Sequence, residues 1–195
     1  MLDEQHIIAK VLAGETAAFR GLVDTYQQTV FLFACNMLRR TQDAEDLTQE
    51  VFVAAFQNLR TFDPARARFS TWLMTIARNR CCSQLKRRSL NTPGDVDSAD
   101  RQPGPEEAAS YHEARQRLSA ALESLPLEQR TAFVLAEIQE LPHAEIGVIE
   151  GIELGTVKSR VSRARERLRE ALKAWQPVHQ AASTRPQDSV PRRPT

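Results

Sequence analysis

Nowhere in the 195 residues is there an unbroken apolar run long enough to cross a bilayer, so no transmembrane helix is expected. The opening MLDEQHII has no basic stretch followed by an apolar one, so no secretory signal is expected either. Cysteine is scarce, at Cys35, Cys81 and Cys82, and no two stand at CxxC spacing. That excludes a disulfide framework and a structural zinc site, and it fits a reducing cytoplasm. His6, His112, His143 and His179 are scattered, so no metal and no cofactor is expected. A Gly-rich phosphate loop, a nucleophile elbow and a recognisable Ser/His/Asp set are all missing. Strand-like alternation is nearly absent.

What is present is helical periodicity and an uneven distribution of charge. The formal net charge is only +1, but its placement matters more than its sum. A first helix is expected from Asp3, as N-cap, to Ala13, stopped by Gly14. A second spans about Thr16–Arg40, with Phe19, Leu22, Val23, Tyr26, Val30, Phe33 and Met37 as its apolar stripe. A third spans about Gln42–Leu59, with Leu47, Val51, Ala55 and Leu59 on one face. Arg60–Phe69 contains Pro64 and reads as a loop. A fourth helix spans about Thr71–Arg88, with Leu73, Ile76, Ala77, Cys81 and Leu85 inward.

Composition then changes. Residues 89–110 hold three prolines, two glycines and five acidic side chains against Arg101 alone. Such a segment buries too little apolar surface to offset its ordering entropy and reads as an acidic linker. Four more helices are expected at about Tyr111–Ser124, Pro126–Glu140, Pro142–Glu150 and Gly155–Trp175. Pro126 and Pro142 sit in first turns, where a missing N–H costs nothing. Residues 176–195 are rich in Pro, Ser and Gln and read as a disordered tail. The fold class is therefore all-α, with helical domains at 1–88 and 111–175.

Gly151, a short gap, Gly155 and a long helix form the turn of a helix-turn-helix. In the last helix Val157, Val161, Ala164, Leu168, Leu172 and Trp175 mark the buried face. Thr156, Ser159, Ser162 and Arg163 mark the opposite one, flanked by Lys158, Arg160 and Arg165. Between Thr156 and Lys173 there are seven basic and two acidic residues. Small polar side chains permit close approach to a major groove, Arg163 suits a guanine edge, and the flanking bases suit phosphates.

Arg78–Arg88 carries five positive charges and no negative one. Its expected outward residues are Arg78, Asn79, Cys82, Ser83 and Lys86. With Phe62, Phe69 and Trp72 just upstream, the combination suits unpaired or opening DNA. Asp43, Glu45, Asp46 and Glu50 cluster on the third helix, with Asp46 and Glu50 sharing a face. Without a histidine or third carboxylate at close spacing, they read as a docking surface rather than a catalytic pair. No enzymatic residue is therefore expected.

Taken together, the blocks DAEDLTQEVF (Asp43–Phe52), FSTWLMTIARNR (Phe69–Arg80), LPLEQRTAFVL (Leu125–Leu135) and EIGVIEGIELGTVKSRVSRARERL (Glu145–Leu168) resemble bacterial RNA polymerase sigma factors of the extracytoplasmic-function type. The resemblance implies sigma region 2 in residues 1–88 and sigma region 4 in 111–175. It implies that Asp46, Gln49 and Glu50 grip the clamp helices of the polymerase's largest subunit, and that the second domain meets the flap of the second largest. Asn79 and the Arg60–Arg68 loop would receive a flipped minus-ten base, which makes Arg60, Phe62, Trp72, Arg78, Asn79, Ser83, Lys86 and Arg87 the candidate minus-ten set. Thr156, Lys158, Ser159, Arg160, Ser162, Arg163 and Arg165 form the candidate minus-thirty-five set. Promoter DNA, core RNA polymerase and an anti-sigma protein are the implied partners. Gly147 stands where relatives carry alanine and is expected to weaken its helix by about 0.5–1 kcal/mol. The competing readings are a helix-turn-helix repressor or activator acting without polymerase, and a nuclease using Asp46 and Glu50.

Overall fold

The computed structural model describes residues 4–91 and 116–173. All regular structure among them is helical. The expected Asp3 cap, most of the linker, Tyr111, Trp175 and the tail lie outside the described residues.

In the first domain, α1 (Glu4–Leu12) ends before Gly14, whose φ of +108° reverses the chain. Thr16–Phe19 is a 3₁₀ turn rather than the start of the second helix. Helix α2 follows as Arg20–Met37 and stops short of Arg40, because Leu38 is extended. Helix α3 is Thr41–Asn58 and α4 is Phe69–Asn91. Helix α4 thus begins two residues earlier than expected and runs past residue 88, into the stretch read as linker.

The apolar stripes close on one another. Val30, Phe33, Ala34 and Met37 of α2 meet Ala44, Leu47, Val51 and Ala55 of α3 and Leu73, Ala77 and Cys81 of α4, all buried. Phe69 sits in an aromatic cluster with Tyr26, Phe62 and Trp72, at ring-centroid separations of 5.5–5.6 Å. This cluster pins the Arg60–Arg68 loop to the start of α4.

In the second domain, α5 is described over 116–123, and α6 spans Leu127–Phe133 and widens into a π segment at Val134–Ile138. Helices α7 (His143–Glu150) and α8 (Leu154–Leu172) form the helix-turn-helix. Pro126 and Pro142 stand immediately before α6 and α7. Val157, Val161, Ala164 and Leu168 are buried as their spacing predicts.

The turn is a complete Schellman motif. Gly151 has φ +66°, its N–H donates to the Val148 carbonyl, and the Ile152 N–H donates to the Gly147 carbonyl at 3.0 Å. Only a residue without a Cβ adopts that φ at little cost. Gly147 has its own reason: a Cβ there would lie 3.0 Å from the Ile152 carbonyl oxygen. The expected propensity gain of an alanine is therefore opposed by crowding against the turn.

The domains do not sit apart. Helix α7 lies against α4, and the 134–138 segment lies against α2. Core burial decides stability in such small bundles. We expect Phe33→Ala, at a fully buried site, to cost about 3–5 kcal/mol in urea unfolding. Val53→Ala, at a site 55% exposed on the next helix, is expected to change stability by less than about 0.5 kcal/mol.

Candidate polymerase and nucleic-acid interfaces

Helix α3 presents two acidic rows with different fates. Asp43 turns toward α4, where Arg88 donates to both its carboxylate oxygens at 2.7 Å. That bidentate pair holds the Asp43 carboxyl below its ordinary range, with the hydrogen bonds from Arg88 as the main cause. Glu50 accepts from Arg80 at 3.2 Å. Asp46, Gln49 and Glu50 are all exposed, and the same helix continues into exposed Val53 and Phe56. The sequence reading missed these two apolar residues. Their signal was available: both fall outside the Leu47, Val51, Ala55 stripe.

The candidate minus-ten set divides into three. Asn79, Ser83 and Arg87 line a shallow groove of about 610 Å³ with Arg80, Arg88 and Glu50, and Lys86 is exposed on the same helix. Phe62 and Trp72 are half-buried in the aromatic cluster, with Arg60 exposed at the start of the loop. A second hollow of about 360 Å³ lies at that loop, lined by Tyr26, Phe62, Pro64, Arg68 and Phe69 among others.

Arg78 forms the third part and corrects the expectation that it faces outward. Its Nε donates to Glu150 Oε1 at 3.1 Å, and its side chain is only 25% exposed. Cys82, also expected outward, is buried at 7% exposure. The reason is the same for both: the second domain covers this side of α4. Desolvation pushes the Cys82 thiol up, and burial takes that of Cys81 up to about 12. Neither is a reactive thiolate.

On α8, Thr156, Lys158, Ser162, Arg163 and Arg165 are exposed. Ser159 is half-buried and its hydroxyl donates to the Thr156 carbonyl at 2.9 Å. Arg165 pairs with Glu137 at 2.6 Å. Arg160 is turned away from the other basic residues, donating to Glu150 Oε2 at 2.6 Å. Among the described residues no group of three His, Cys, Asp or Glu side chains could hold a metal, and no helix is long and apolar enough to span a membrane.

An acidic helix, a basic helix beside an aromatic loop, and a helix-turn-helix, in that order, fit the layout of a promoter-recognition factor of the sigma-70 class. Comparison with known proteins agrees. The model for Sigma-70 region 2 matches residues 22–90 and that for Sigma-70, region 4 matches 115–168. The chain is 34% identical to the ECF RNA polymerase sigma factor SigW of Bacillus subtilis, over 85% of this chain and 95% of that one. It is 38% identical to the ECF RNA polymerase sigma factor SigE of Mycolicibacterium smegmatis, over 77% of this chain but 60% of that longer one. CnrH, solved in complex with the cytosolic domain of CnrY, superposes with a TM-score of 0.69 at 25% identity, over 89% of this chain and 99% of that one.

The chain belongs to the ECF RNA polymerase sigma factors. It is accordingly a transcription initiation factor that directs core polymerase to promoters, and not a repressor or activator working without polymerase. Its relatives are sigma factors, which are not enzymes.

The Asp43–Arg88 pair gives a pH prediction. A depressed folded-state pKa contributes stability that is present above the ordinary carboxylate pKa and lost as pH falls through the folded value. Stability of the natural chain is therefore expected to fall as pH drops below about 4. Asp43→Asn should be less stable at pH 7 and show a shallower acid limb in thermal melts across pH 2–7. An unchanged acid limb would remove the pair from the account.

Proposed function

We infer that the three surfaces divide the work of promoter recognition among named residues. The carrying observation is the exposed face of α3, where Asp46, Gln49 and Glu50 lead into Val53 and Phe56. A charged row continuing into an apolar one on a single helix suits a protein partner. We assign it to the clamp helices of the polymerase's largest subunit, with the second domain meeting the flap of the second largest.

The groove of Asn79, Ser83 and Arg87, with Lys86 beside it, is assigned to the backbone and bases of the opening minus-ten strand. Its arginines neutralise phosphate, while Arg60, Phe62 and Trp72 form an edge on which an unpaired base can stack. Arg78 joins this set only when its carboxylate partner is displaced. On α8, Arg163 reads a base edge, Thr156 and Ser162 allow close approach, Lys158 and Arg165 hold phosphates of the minus-thirty-five duplex, and Arg160 joins them only when Glu150 releases it. Ser159 is assigned to the same face as Thr156, its hydroxyl resting on the Thr156 carbonyl at 2.9 Å.

The two domains bind two promoter elements at a spacing imposed by the polymerase, so that modest affinities multiply through effective concentration. The polymerase carries out the chemistry, and this chain contributes no catalytic residue. Residues 1–88 act as region 2, 89–110 as the tether, 111–175 as region 4 and 176–195 as a tail. The site of action is the cytoplasm. CnrH was solved with CnrY, and a comparable anti-sigma protein is proposed for this chain.

Transcription in vitro with core polymerase and a genomic promoter library tests the whole. Promoter-specific transcripts are expected with the natural chain, and their absence with folded protein would overturn the reading. Asp46→Arg is expected to abolish capture of core polymerase while leaving the helical circular dichroism unchanged. Arg163→Ala is expected to cost about 1–3 kcal/mol of promoter affinity and to relax base preference, whereas Lys158→Ala lowers the salt slope by about one. Equal losses of both kinds from both variants would exchange or erase the assigned roles.

A further inference from the structure

Helix α8 begins with a leucine that the core does not use. Leu154 is its first residue and remains 46% exposed, and the buried stripe starts only at Val157. Among the described residues, Leu154 is the one large apolar side chain that α8 exposes. A single exposed leucine is ordinary on a protein surface. What marks this one is its place. Lys158 and Ser162, both exposed, follow it at spacings of four and eight residues, so the three stand along one side of the helix.

Gly155, the next residue, is equally unexplained by packing. It lies inside α8 and lacks the positive φ that requires glycine at Gly151. A Cβ added to it would meet nothing within 4 Å. Glycine in a helix is less stable than alanine. The first turn of α8 therefore carries two residues that the fold itself does not call for.

A duplex major groove accounts for both. In a helix-turn-helix, the N-terminal residues of the second helix are the ones that reach base edges. A missing Cβ at Gly155 lets this end of the helix come close to the groove floor. The apolar group that the groove presents is the 5-methyl of thymine; the other base edges offer hydrogen-bonding groups that a leucine cannot satisfy.

We propose that Leu154 is a specificity-determining residue of the minus-thirty-five surface, packing on the 5-methyl group of a thymine that Gly155 allows it to reach. The chain then prefers one orientation of an A·T pair opposite Leu154, in addition to the base edge read by Arg163. The proposal rests on the assignment of α8 to the minus-thirty-five duplex. Val148, 58% exposed on α7, is another bare apolar residue of the motif. A protein seated on the two would occupy Leu154 without DNA, and the test separates these occupants.

Deoxyuridine differs from thymidine only in lacking the methyl group. In a promoter selected by the holoenzyme, each thymine of the minus-thirty-five element, on either strand, is replaced in turn by deoxyuridine. Mobility shift reads the affinity of the holoenzyme. With the natural chain, one replacement is expected to weaken binding about fourfold, the worth of one buried methyl. Leu154→Ala is expected to weaken binding to the thymine promoter at least as much and to be indifferent to that replacement. Gly155→Ala is expected to weaken binding several-fold with a thermal midpoint no lower than that of the natural chain. The absence of any sensitive thymine overturns the proposal, and so does the same sensitivity in Leu154→Ala. A Leu154→Ala loss that is equal on thymine and deoxyuridine DNA overturns it too, by placing a protein on the leucine. Unchanged affinity in Gly155→Ala removes the close approach on which the contact depends. Arg163→Ala, measured in parallel, keeps this proposal apart from the reading beneath it. If that variant weakens binding while no thymine is sensitive, only the leucine contact falls. If neither has any effect, the assignment of α8 to the minus-thirty-five duplex falls with it.

Discussion

Three helices from two domains meet at one carboxylate. Glu150 ends α7, Arg160 lies on α8, and Arg78 lies on α4. A carboxylate at a helix C-terminus meets the negative end of the helix dipole and is disfavoured there. Complete burial makes that position worse unless cations surround it. The two guanidinium groups are therefore a condition for Glu150 to sit where it does. The Schellman turn at Gly151 follows directly, so the crossing of α7 and α8 and the docking of α7 on α4 share one anchor.

The acidic helix performs a similar double task within the first domain. Asp43 and Glu50 tie Arg88 and Arg80 to α3, and the same arginines line the groove on α4. Fixing them leaves guanidinium groups oriented along the groove in place of mobile side chains, which lowers the entropy lost on meeting phosphate. Asp46 and Gln49, between them in sequence and exposed, remain available to a protein partner. On the proposed assignment, one helix thus positions the groove through Asp43 and Glu50 while the neighbouring row of Asp46 and Gln49 is offered for docking. The bidentate geometry of Asp43 is the stronger of the two ties, because two parallel charge-assisted bonds constrain orientation as well as distance.

Most of each domain was legible in the sequence because apolar periodicity reports a helix's inward face. Leu47, Val51, Ala55 and Leu59 are all at most 2% exposed, and Val157, Val161, Ala164 and Leu168 at most 5%. The exposed Asp46, Gln49, Glu50, Lys158, Ser162 and Arg163 follow as the complements of those stripes. The failures concentrate on Arg78 and Cys82. Each lies on a polar or mixed face, and such a face looks the same in sequence whether water or another domain covers it. The acidic, proline-containing segment after α4 implied separable domains, and nothing in its composition registers that Glu145 and Glu150 have partners on α4. For Gly147 the sequence shows only half of the balance: helix propensity is a property of one segment, whereas a Cβ there would crowd a carbonyl of the next.

The chemistry of the junction explains why it escapes such reading. An interface held by leucine and valine alone would leave an exposed apolar stripe when separated and so appear as periodicity. Here the specific contacts are carboxylate to guanidinium and carboxylate to hydroxyl, beside Thr131 and two thiols. They fix register through directional bonds while gaining little net free energy.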